Sequence, residues 1–307
     1  HKHLKLQCDP ARMLPEKRKA PVIGHGEIPV GTPQPYHEYR NNGKTLLVRT
    51  PFTPRPYDHA LSNEIHSVMV TNRGLHTSCN GNSQQNRLTP DWPDTVTQEV
   101  PAEAIYIYEP ATKEWFSPTY HPLNNSKVKY ESEFSVDGTA VFHMHAGTLA
   151  TELTVFVPPQ EPMGVYLLTI KNNANTQRRL RLAPYFHAVL EFQPERSGHL
   201  VKRYDKELNA LFLSNPRHMF RRGCAFVSTT LAVEQVETNR GKFFGQGRGP
   251  VHPYLVETGE GDQSARTDEN QIAAFMGTID VPAHGEYSVA FFLGQADTYQ
   301  DARRIVR

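Results

Sequence analysis

The sequence has little cysteine, and this scarcity excludes whole classes of protein. Its 307 residues contain three cysteines, at positions 8, 79 and 224. An odd, widely spaced set argues against a disulfide framework, and the absence of Cys-x-x-Cys spacing excludes a cysteine-built zinc site. We therefore predict a reducing compartment and a cytoplasmic location.

Long apolar runs and an excess of one charge are also missing. No stretch approaches the roughly 18 apolar residues that span a bilayer, and residues 1–8 carry no hydrophobic signal core. Lysine and arginine total 33 against 32 aspartates and glutamates, a formal charge of +1. This balance predicts no overall attraction for nucleic acid or for an anionic membrane, and the basic run 217–222 is too short to change that. We therefore predict no nucleic-acid partner and, from the lack of a long apolar run, no membrane segment.

Catalytic motifs are scarce as well. The chain contains neither a Gly-x-Ser-x-Gly elbow nor a Walker loop, and Gly245–Gly249 lacks the Lys-Ser/Thr ending of a phosphate cradle. Asp91, Asp94 and Glu103 are interpreted as solvated charges rather than as an acid–base pair. We therefore assign no catalytic residue to this chain.

His143 and His145 stand two residues apart, so in a strand they share one face. A metal site needs at least a third ligand, and no candidate follows from the sequence. Ordinary polar packing is the simpler interpretation, and we predict neither a metal site nor a cofactor.

Short β-rich runs make up most of what is present, separated by turn signals such as Asp137-Gly138 and the Asn172–Asn175 cluster. This spacing predicts an all-β sandwich or barrel. The predicted strands are 46–48, 65–70, 104–108, 128–134, 139–145, 149–157, 165–170, 180–190, 210–213, 225–230, 272–281 and 287–293.

One hairpin stands out in this pattern. Val165–Ile170 runs into the asparagine-rich turn, and Arg178–Leu182 returns, so the two are predicted to pair. On the return strand Leu180 and Leu182 should face inward, and Arg179 and Arg181 outward, as the two-residue period of a half-buried strand requires.

Other segments interrupt or flank the strands. Residues 1–45 are rich in proline and are predicted to form an irregular arm, with a disordered tail as the alternative. The polar stretch 72–101 and the glycine-rich stretch 241–270 are predicted to be long loops. Residues 46–297 are then the β domain, and 298–307 begin a helix that leads into a linker.

The densest polar run is Asn80–Arg87. Amides offer a donor and an acceptor together, and the guanidinium offers a rigid fork of donors, which suits sugar hydroxyls or an anion. Trp92 nearby could stack on a sugar ring. The alternative is a solvated loop whose asparagines bond to their own turns.

A resemblance emerges from ordered motifs over about 250 residues. They are Thr53–Tyr57, Leu61–Glu64, Arg87–Pro90, Ile105–Tyr108, Trp115–Pro118, Glu152–Pro158, Leu180–Phe186, Phe243–Gly247 and Phe291–Ala296. In this order they resemble glycoside hydrolase family 94, the inverting β-glucoside phosphorylases. Asn80–Arg87 is most similar to the β-1,2-oligoglucan phosphorylases and to the phosphorylase-like region of cyclic β-1,2-glucan synthases.

The resemblance implies a large antiparallel β super-sandwich of the galactose-mutarotase type. It implies that catalysis resides in an (α/α)6 barrel outside this chain, with inorganic phosphate as co-substrate and a β-glucooligosaccharide as ligand. It allows a homodimer and a parent that is a membrane-bound synthase with this part in the cytoplasm. Since family loops of the sandwich help shape the sugar cleft, the candidate substrate-binding residues are Tyr57, Asn63, Asn82, Gln85, Asn86 and Arg87.

Three other hypotheses stay open on the sequence alone. The chain could be a stand-alone carbohydrate-binding module, which predicts affinity without a partner. It could be a mutarotase-like epimerase, which needs an acid and a base, with His143, His145 and His187 available. It could also be a purely structural interaction domain.

Overall fold

The computed structural model describes residues 36–90, 102–192, 199–261 and 271–307. Within these ranges the chain forms eighteen strands, three short helices and the turns between them. All strand pairs are antiparallel, and the strands fall into three sheets of ten, five and three strands.

The largest sheet contains ten strands. In spatial order these are β1 (His37–Arg40), β2 (Thr45–Val48), β8 (Lys129–Ser135), β9 (Thr139–Ala146), β10 (Leu149–Phe156), β11 (Met163–Asn172), β18 (Glu286–Ala296), β15 (Cys224–Thr229), β14 (Ala210–Ser214) and β13 (Val201–Asp205).

The second sheet orders β16 (Gln235–Asn239), β17 (Gln271–Val281), β12 (Arg178–His187), β6 (Glu103–Glu109) and β7 (Glu114–Phe116). The third orders β3 (Asp58–Ser62), β4 (His66–Thr71) and β5 (Gly74–Asn80). Side chains from all three sheets meet in one hydrophobic core.

Strand β6 is buried on both faces, and this explains how the layers stack. Ile105 and Ile107 lie in the core between the sheets, whereas Tyr106 and Tyr108 lie on the opposite face. Two helices, α1 (Arg240–Phe244) and α2 (Tyr254–Thr258), cover that second face with further apolar side chains. The middle of β6, Ala104–Tyr108, is accordingly apolar or aromatic at every position, because neither row of side chains meets water.

The predicted fold class, an all-β super-sandwich, is confirmed. The helix expected near the end of the chain is present as α3 (Tyr299–Val306), whose Ala302 packs beside Phe212 and Phe226. Its amino terminus is capped by Thr298, whose side chain accepts from the Asp301 amide.

The predicted hairpin is wrong. Strand β11 pairs with β10 and β18 in the ten-stranded sheet, whereas β12 pairs with β17 and β6 in the five-stranded sheet. The predicted alternation holds at the start of β12: Leu180 and Leu182 are in the core and Arg179 is exposed. Arg181 points away from that core but is half-buried, because it donates to the Val256 and Glu257 carbonyls of α2. The chain therefore crosses between sheets at the asparagine-rich turn, a choice that alternation on one strand does not encode.

The predicted loop 72–101 is also partly wrong, because it contains the whole of β5. The stretch 241–270 likewise contains most of α1 and all of α2. Strand β1 lies within the predicted arm, and residues 1–35 of that arm lie outside the described residues. The division at residues 45 and 297 stays a prediction.

Candidate functional site

The loop that leaves β5 is compact and internally bonded. We call residues Gly81–Arg87 the polar loop. The Asn82 Oδ1 atom accepts from the amides of Gln84 and Gln85, both at 2.9 Å, and the Asn86 amide donates to the Asn82 carbonyl at 3.0 Å. Such side-chain-to-backbone bonds are the reason asparagine favours turns, so this loop has a defined shape.

Asn86 anchors the polar loop from below. It is fully buried, and its Nδ2 donates to the Asn80 carbonyl at 2.7 Å and to Gln295 Oε1 at 2.6 Å. Gln295 lies on β18, so the loop is tied to the ten-stranded sheet. Asn86 therefore acts inside the domain rather than at its surface.

Two other candidates also bond within the domain. Asn63 donates to the carbonyls of Pro158 and Glu161 at 2.6 and 2.8 Å. Its Oδ1 atom accepts from the backbone amides of Ile65 and His66. The Tyr57 hydroxyl lies 3.0 Å from His37 Nδ1. The structure therefore brings Asn82, Gln85 and Arg87, rather than all six candidates, to the surface around the loop.

A first cleft opens on one side of the polar loop, over the outer face of the three-stranded sheet. This strand cleft has a volume of about 580 Å³. Its lining includes Asp58, Glu64, Ser67, Thr77, Asn82 and Ser83. Hydroxyl, amide and carboxylate groups line this cleft, together with the sulfur-containing side chains of Met69 and Cys79.

A second cleft of about 720 Å³ opens on the other side. We call it the aromatic cleft. It is lined by Gln84, Gln85, Glu191, Phe192, His199, Asn215, Arg217, Met219 and Phe220. Phe192 and Phe220 are 41% and 51% exposed, and Met219 is 97% exposed, so large apolar surfaces face water beside the amides.

The polar groups of the aromatic cleft are held in place by their neighbours. Arg217 Nη1 lies 2.9 Å from His199 Nε2, and Asn215 donates to the Leu190 carbonyl at 3.0 Å. Arg87 donates to the Ser83 carbonyl at 2.8 Å, and its guanidinium lies 5.9 Å from the centre of the Phe192 ring. The cleft therefore combines fixed donors with accessible aromatic faces.

Sequence reasoning missed Phe192, His199, Asn215 and Arg217. They come from separate chain segments that only the fold unites with Gln85. One signal for this cleft was present in the sequence: the basic run 217–222 also contains Met219 and Phe220. Counting only the charges of that run overlooks its two large apolar side chains. Trp92, Asp91 and Asp94 lie outside the described residues.

The interpretation of Glu103 as a solvated charge is wrong. Its side chain is buried, 1% exposed, and burial raises the pKa of its carboxyl above the ordinary glutamate value. Hydroxyls of Ser78, Tyr166 and Thr89 and the nearby His76 offset part of that rise in pKa. It lies inside the fold and lines neither cleft.

Of the histidines considered for an epimerase, His143 and His145 share a strand, whereas His187 lies in another sheet. His143 and His145 lie on β9 of the ten-stranded sheet, and the His143 Nδ1 atom is 3.8 Å from Glu152 Oε2. His187 lies on β12 of the other sheet, where burial and then Arg240 lower its pKa to about 4. Within the described ranges, no group of three side chains suited to a metal ion occurs.

The sequence profile of "Glycosyl hydrolase 94, supersandwich domain" matches residues 44–307. The chain belongs to this family. The match covers both clefts, the polar loop and all strands from β2 onward.

Relatives of this family-94 domain are larger proteins. It is 29% identical over 258 residues to "Cyclic beta-(1,2)-glucan synthase NdvB" of Rhizobium meliloti, covering 83% of this chain and 9% of the relative. It is 24% identical to the "3-O-beta-D-glucopyranosyl-beta-D-glucuronide phosphorylase" of Paenibacillus borealis, covering 87% and 34%. The chain thus spans about a third or less of these curated relatives.

A solved structure from the human microbiome, assigned as a kojibiose phosphorylase, shares the fold. Its TM-score is 0.53 at 9% identity, and the match covers 88% of this chain and 35% of that one. At this identity the likeness shows the fold alone.

No helix of the described residues is long and apolar enough to cross a membrane.

Proposed function

We propose that this domain binds and positions a β-linked glucan for a parent phosphorylase or synthase, and that it has no catalytic activity alone. The observation that carries the proposal is the aromatic cleft beside the polar loop. There Gln85 and Arg217 offer hydrogen-bonding groups next to the exposed faces of Phe192 and Phe220. Sugars present hydroxyl edges and apolar C–H faces together, and this combination of side chains complements both.

We further propose that the glucan is β-1,2-linked. This linkage is suggested by the similarity of Asn80–Arg87 to the same run in β-1,2-glucan enzymes. The name of the Rhizobium meliloti relative, a cyclic β-(1,2)-glucan synthase, supports it. The Paenibacillus relative is named for a glucosyl-glucuronide, so a β-glucoside is common to both names.

The partner that we propose is an (α/α)6 barrel in the same parent chain. It would carry the general acid and bind inorganic phosphate, the co-substrate of an inverting phosphorolysis. The small share of each relative that this chain spans supports a further catalytic domain. A homodimer and a cytoplasmic location remain predictions.

Calorimetric titration of the chain with sophorose and longer β-1,2-glucooligosaccharides tests the proposal, with cello-oligosaccharides as linkage controls. We expect weak binding, with a Kd of about 1 mM or roughly 4 kcal/mol, because the other wall of the cleft would belong to the barrel. Phe192→Ala and Gln85→Ala should each weaken it about tenfold. Phe52→Ala and Gln300→Ala, which remove an exposed phenylalanine and glutamine outside the cleft, are the matched controls.

Two results would contradict the proposal. One is a flat titration with every oligosaccharide. The other is phosphorolysis of β-1,2-glucooligosaccharide by the chain alone, which would mean that a general acid lies within it. Mutarotation of glucose by the chain would favour the epimerase hypothesis instead.

A further inference from the structure

Glu103 occupies a place in the core where an apolar side chain would be expected. It shares its face of β6 with Ile105 and Ile107, which point into the core between the sheets. A carboxyl group there is costly because burial disfavours its charged form. The direction of its pKa shift reflects that cost, since desolvation is the largest contribution.

The carboxyl is bonded to two other segments of the chain. Thr89 Oγ1 donates to Glu103 Oε1 at 2.8 Å, and the Tyr166 hydroxyl donates to Oε2 at 2.6 Å. The Ser78 hydroxyl lies 3.2 Å from the Tyr166 hydroxyl. Because Tyr166 is on β11, Glu103 joins the five-stranded sheet to the ten-stranded sheet.

Thr89 and Ser78 are the two sides of the neck of the polar loop. Ser78 comes before the loop on β5, and Thr89 follows it. The Ser78 amide donates to Thr89 Oγ1 at 2.7 Å, and the Ser78 carbonyl accepts from the amides of Leu88 and Thr89 at 2.9 and 3.2 Å. The Thr89 hydroxyl therefore accepts a hydrogen bond from the Ser78 amide of β5 and donates its single proton to Glu103. The Glu103 carboxyl thus fixes the side of the neck that Thr89 forms.

We propose that Glu103 is a positioning residue, which holds the neck of the polar loop to both sheets and so sets the places of Asn82, Gln85 and Arg87 without touching a ligand. This inference rests on the proposed function for its consequence, glucan affinity. The hydrogen-bonded junction itself is independent of any ligand. Perturbed acids that cost stability are frequent beneath functional sites, and this one lies beneath the loop between the two clefts.

Hydrogen exchange of the loop amides in the full chain tests the proposal directly. The amides of Gln84, Gln85 and Asn86 are the probes, since each bonds to Asn82. Thr89→Val keeps the shape of the side chain and removes the hydroxyl, whereas Thr89→Ser keeps the hydroxyl and removes a methyl group. We expect about tenfold faster exchange in Thr89→Val and near wild-type exchange in Thr89→Ser.

A packing role would give the opposite order, because valine would then substitute well and serine would leave a gap. Tyr166→Phe should also accelerate loop exchange by removing the bond to the ten-stranded sheet. Tyr106→Phe is its matched control: Tyr106 is equally buried, and its hydroxyl bonds to the Pro250 carbonyl, away from the neck. Unchanged loop exchange in both Thr89→Val and Tyr166→Phe would overturn the proposal, as would an increase spread evenly over the domain.

Oligosaccharide titration of the same variants separates this inference from the proposed function. Local acceleration together with a loss of glucan affinity in Thr89→Val, recovered in Thr89→Ser, supports both. Local acceleration in a chain that binds no glucan even as wild type supports the positioning role and contradicts the proposed function. Full glucan affinity with unchanged loop exchange contradicts the positioning role alone.

Discussion

The Asn86 Nδ2 atom donates to Gln295 Oε1 at 2.6 Å, and the two residues are 209 positions apart in the chain. This bond ties the polar loop to β18, an interior strand of the ten-stranded sheet that pairs with β11 and β15. The shape of the loop is therefore coupled to the stability of the largest sheet.

Asn86→Ala should destabilise the domain by about 1–3 kcal/mol, because the Asn80 carbonyl and the Gln295 side chain would stay buried without this donor. Urea unfolding followed by circular dichroism measures the change. Asn173→Ala, at an exposed turn asparagine, is the control and should stay within about 0.5 kcal/mol of wild type. Equal stability of the two variants would contradict the anchoring role.

Glu103 should make the wild type lose stability as pH rises. Its folded pKa is above the ordinary value of 4.5, so the folded state holds this proton more tightly than the unfolded state. Stability linked to the group is full below that ordinary value and falls as pH rises through the raised pKa. Glu103→Gln removes the titration. Urea midpoints from pH 4 to pH 8 should therefore fall for wild type relative to the variant, with His76 and Tyr166 as the neighbouring titratable groups. If the urea midpoints of wild type and Glu103→Gln changed in parallel with pH, Glu103 would not be the source of the loss.

The pH dependence of stability that is linked to His66 should have the opposite direction. Burial lowers its pKa from 6.5 to about 3, and both ring nitrogens lack a hydrogen-bond partner among the described residues. The unfolded state therefore binds this proton more tightly, and stability should fall as pH drops from 6.5 towards 3. The loss is on the order of a few kcal/mol, since one pKa unit is about 1.4 kcal/mol.

His66→Leu should reduce this acid sensitivity and leave stability at pH 7 equal or higher, because leucine carries no buried polar atom. Unfolding midpoints at pH 4 and pH 7 provide the measurement. His145→Leu, at an exposed histidine, should keep the wild-type pH dependence. An unchanged acid response in His66→Leu would show that the group is not the source.

Gly277 on β17 allows a close backbone approach. A Cβ atom there would clash with the Ala232 carbonyl oxygen, which belongs to the backbone and not to a flexible side chain. Gly277→Ala should destabilise the domain by about 2–4 kcal/mol. Gly249→Ala is the control, since nothing lies within 4 Å of its Cβ position. Thermal unfolding of the two variants gives the comparison, and similar Tm values would contradict the clash.

Local patterns predicted individual strands well where at least one face is apolar. The runs 104–108, 139–145 and 149–157 lie almost entirely within β6, β9 and β10. They failed at β5, Gly74–Asn80, because its buried positions include Ser78 and Asn80. The Ser78 and Asn80 side chains find partners inside the fold, in Tyr166 and Arg221, and such distant partners leave no mark on local hydrophobic periodicity.

The sequence by itself determined the all-β class, the inward side of β12 and the polar character of Asn80–Arg87, because these follow from periodicity and composition. Only the tertiary structure decided that β12 belongs to a different sheet from β11 and that Asn86 is buried while Gln85 lines a cleft. It also brought Phe192 and Arg217 to that cleft. The physical reason is that strand pairing and burial depend on contacts between residues far apart in the chain, which alternation along one segment cannot encode.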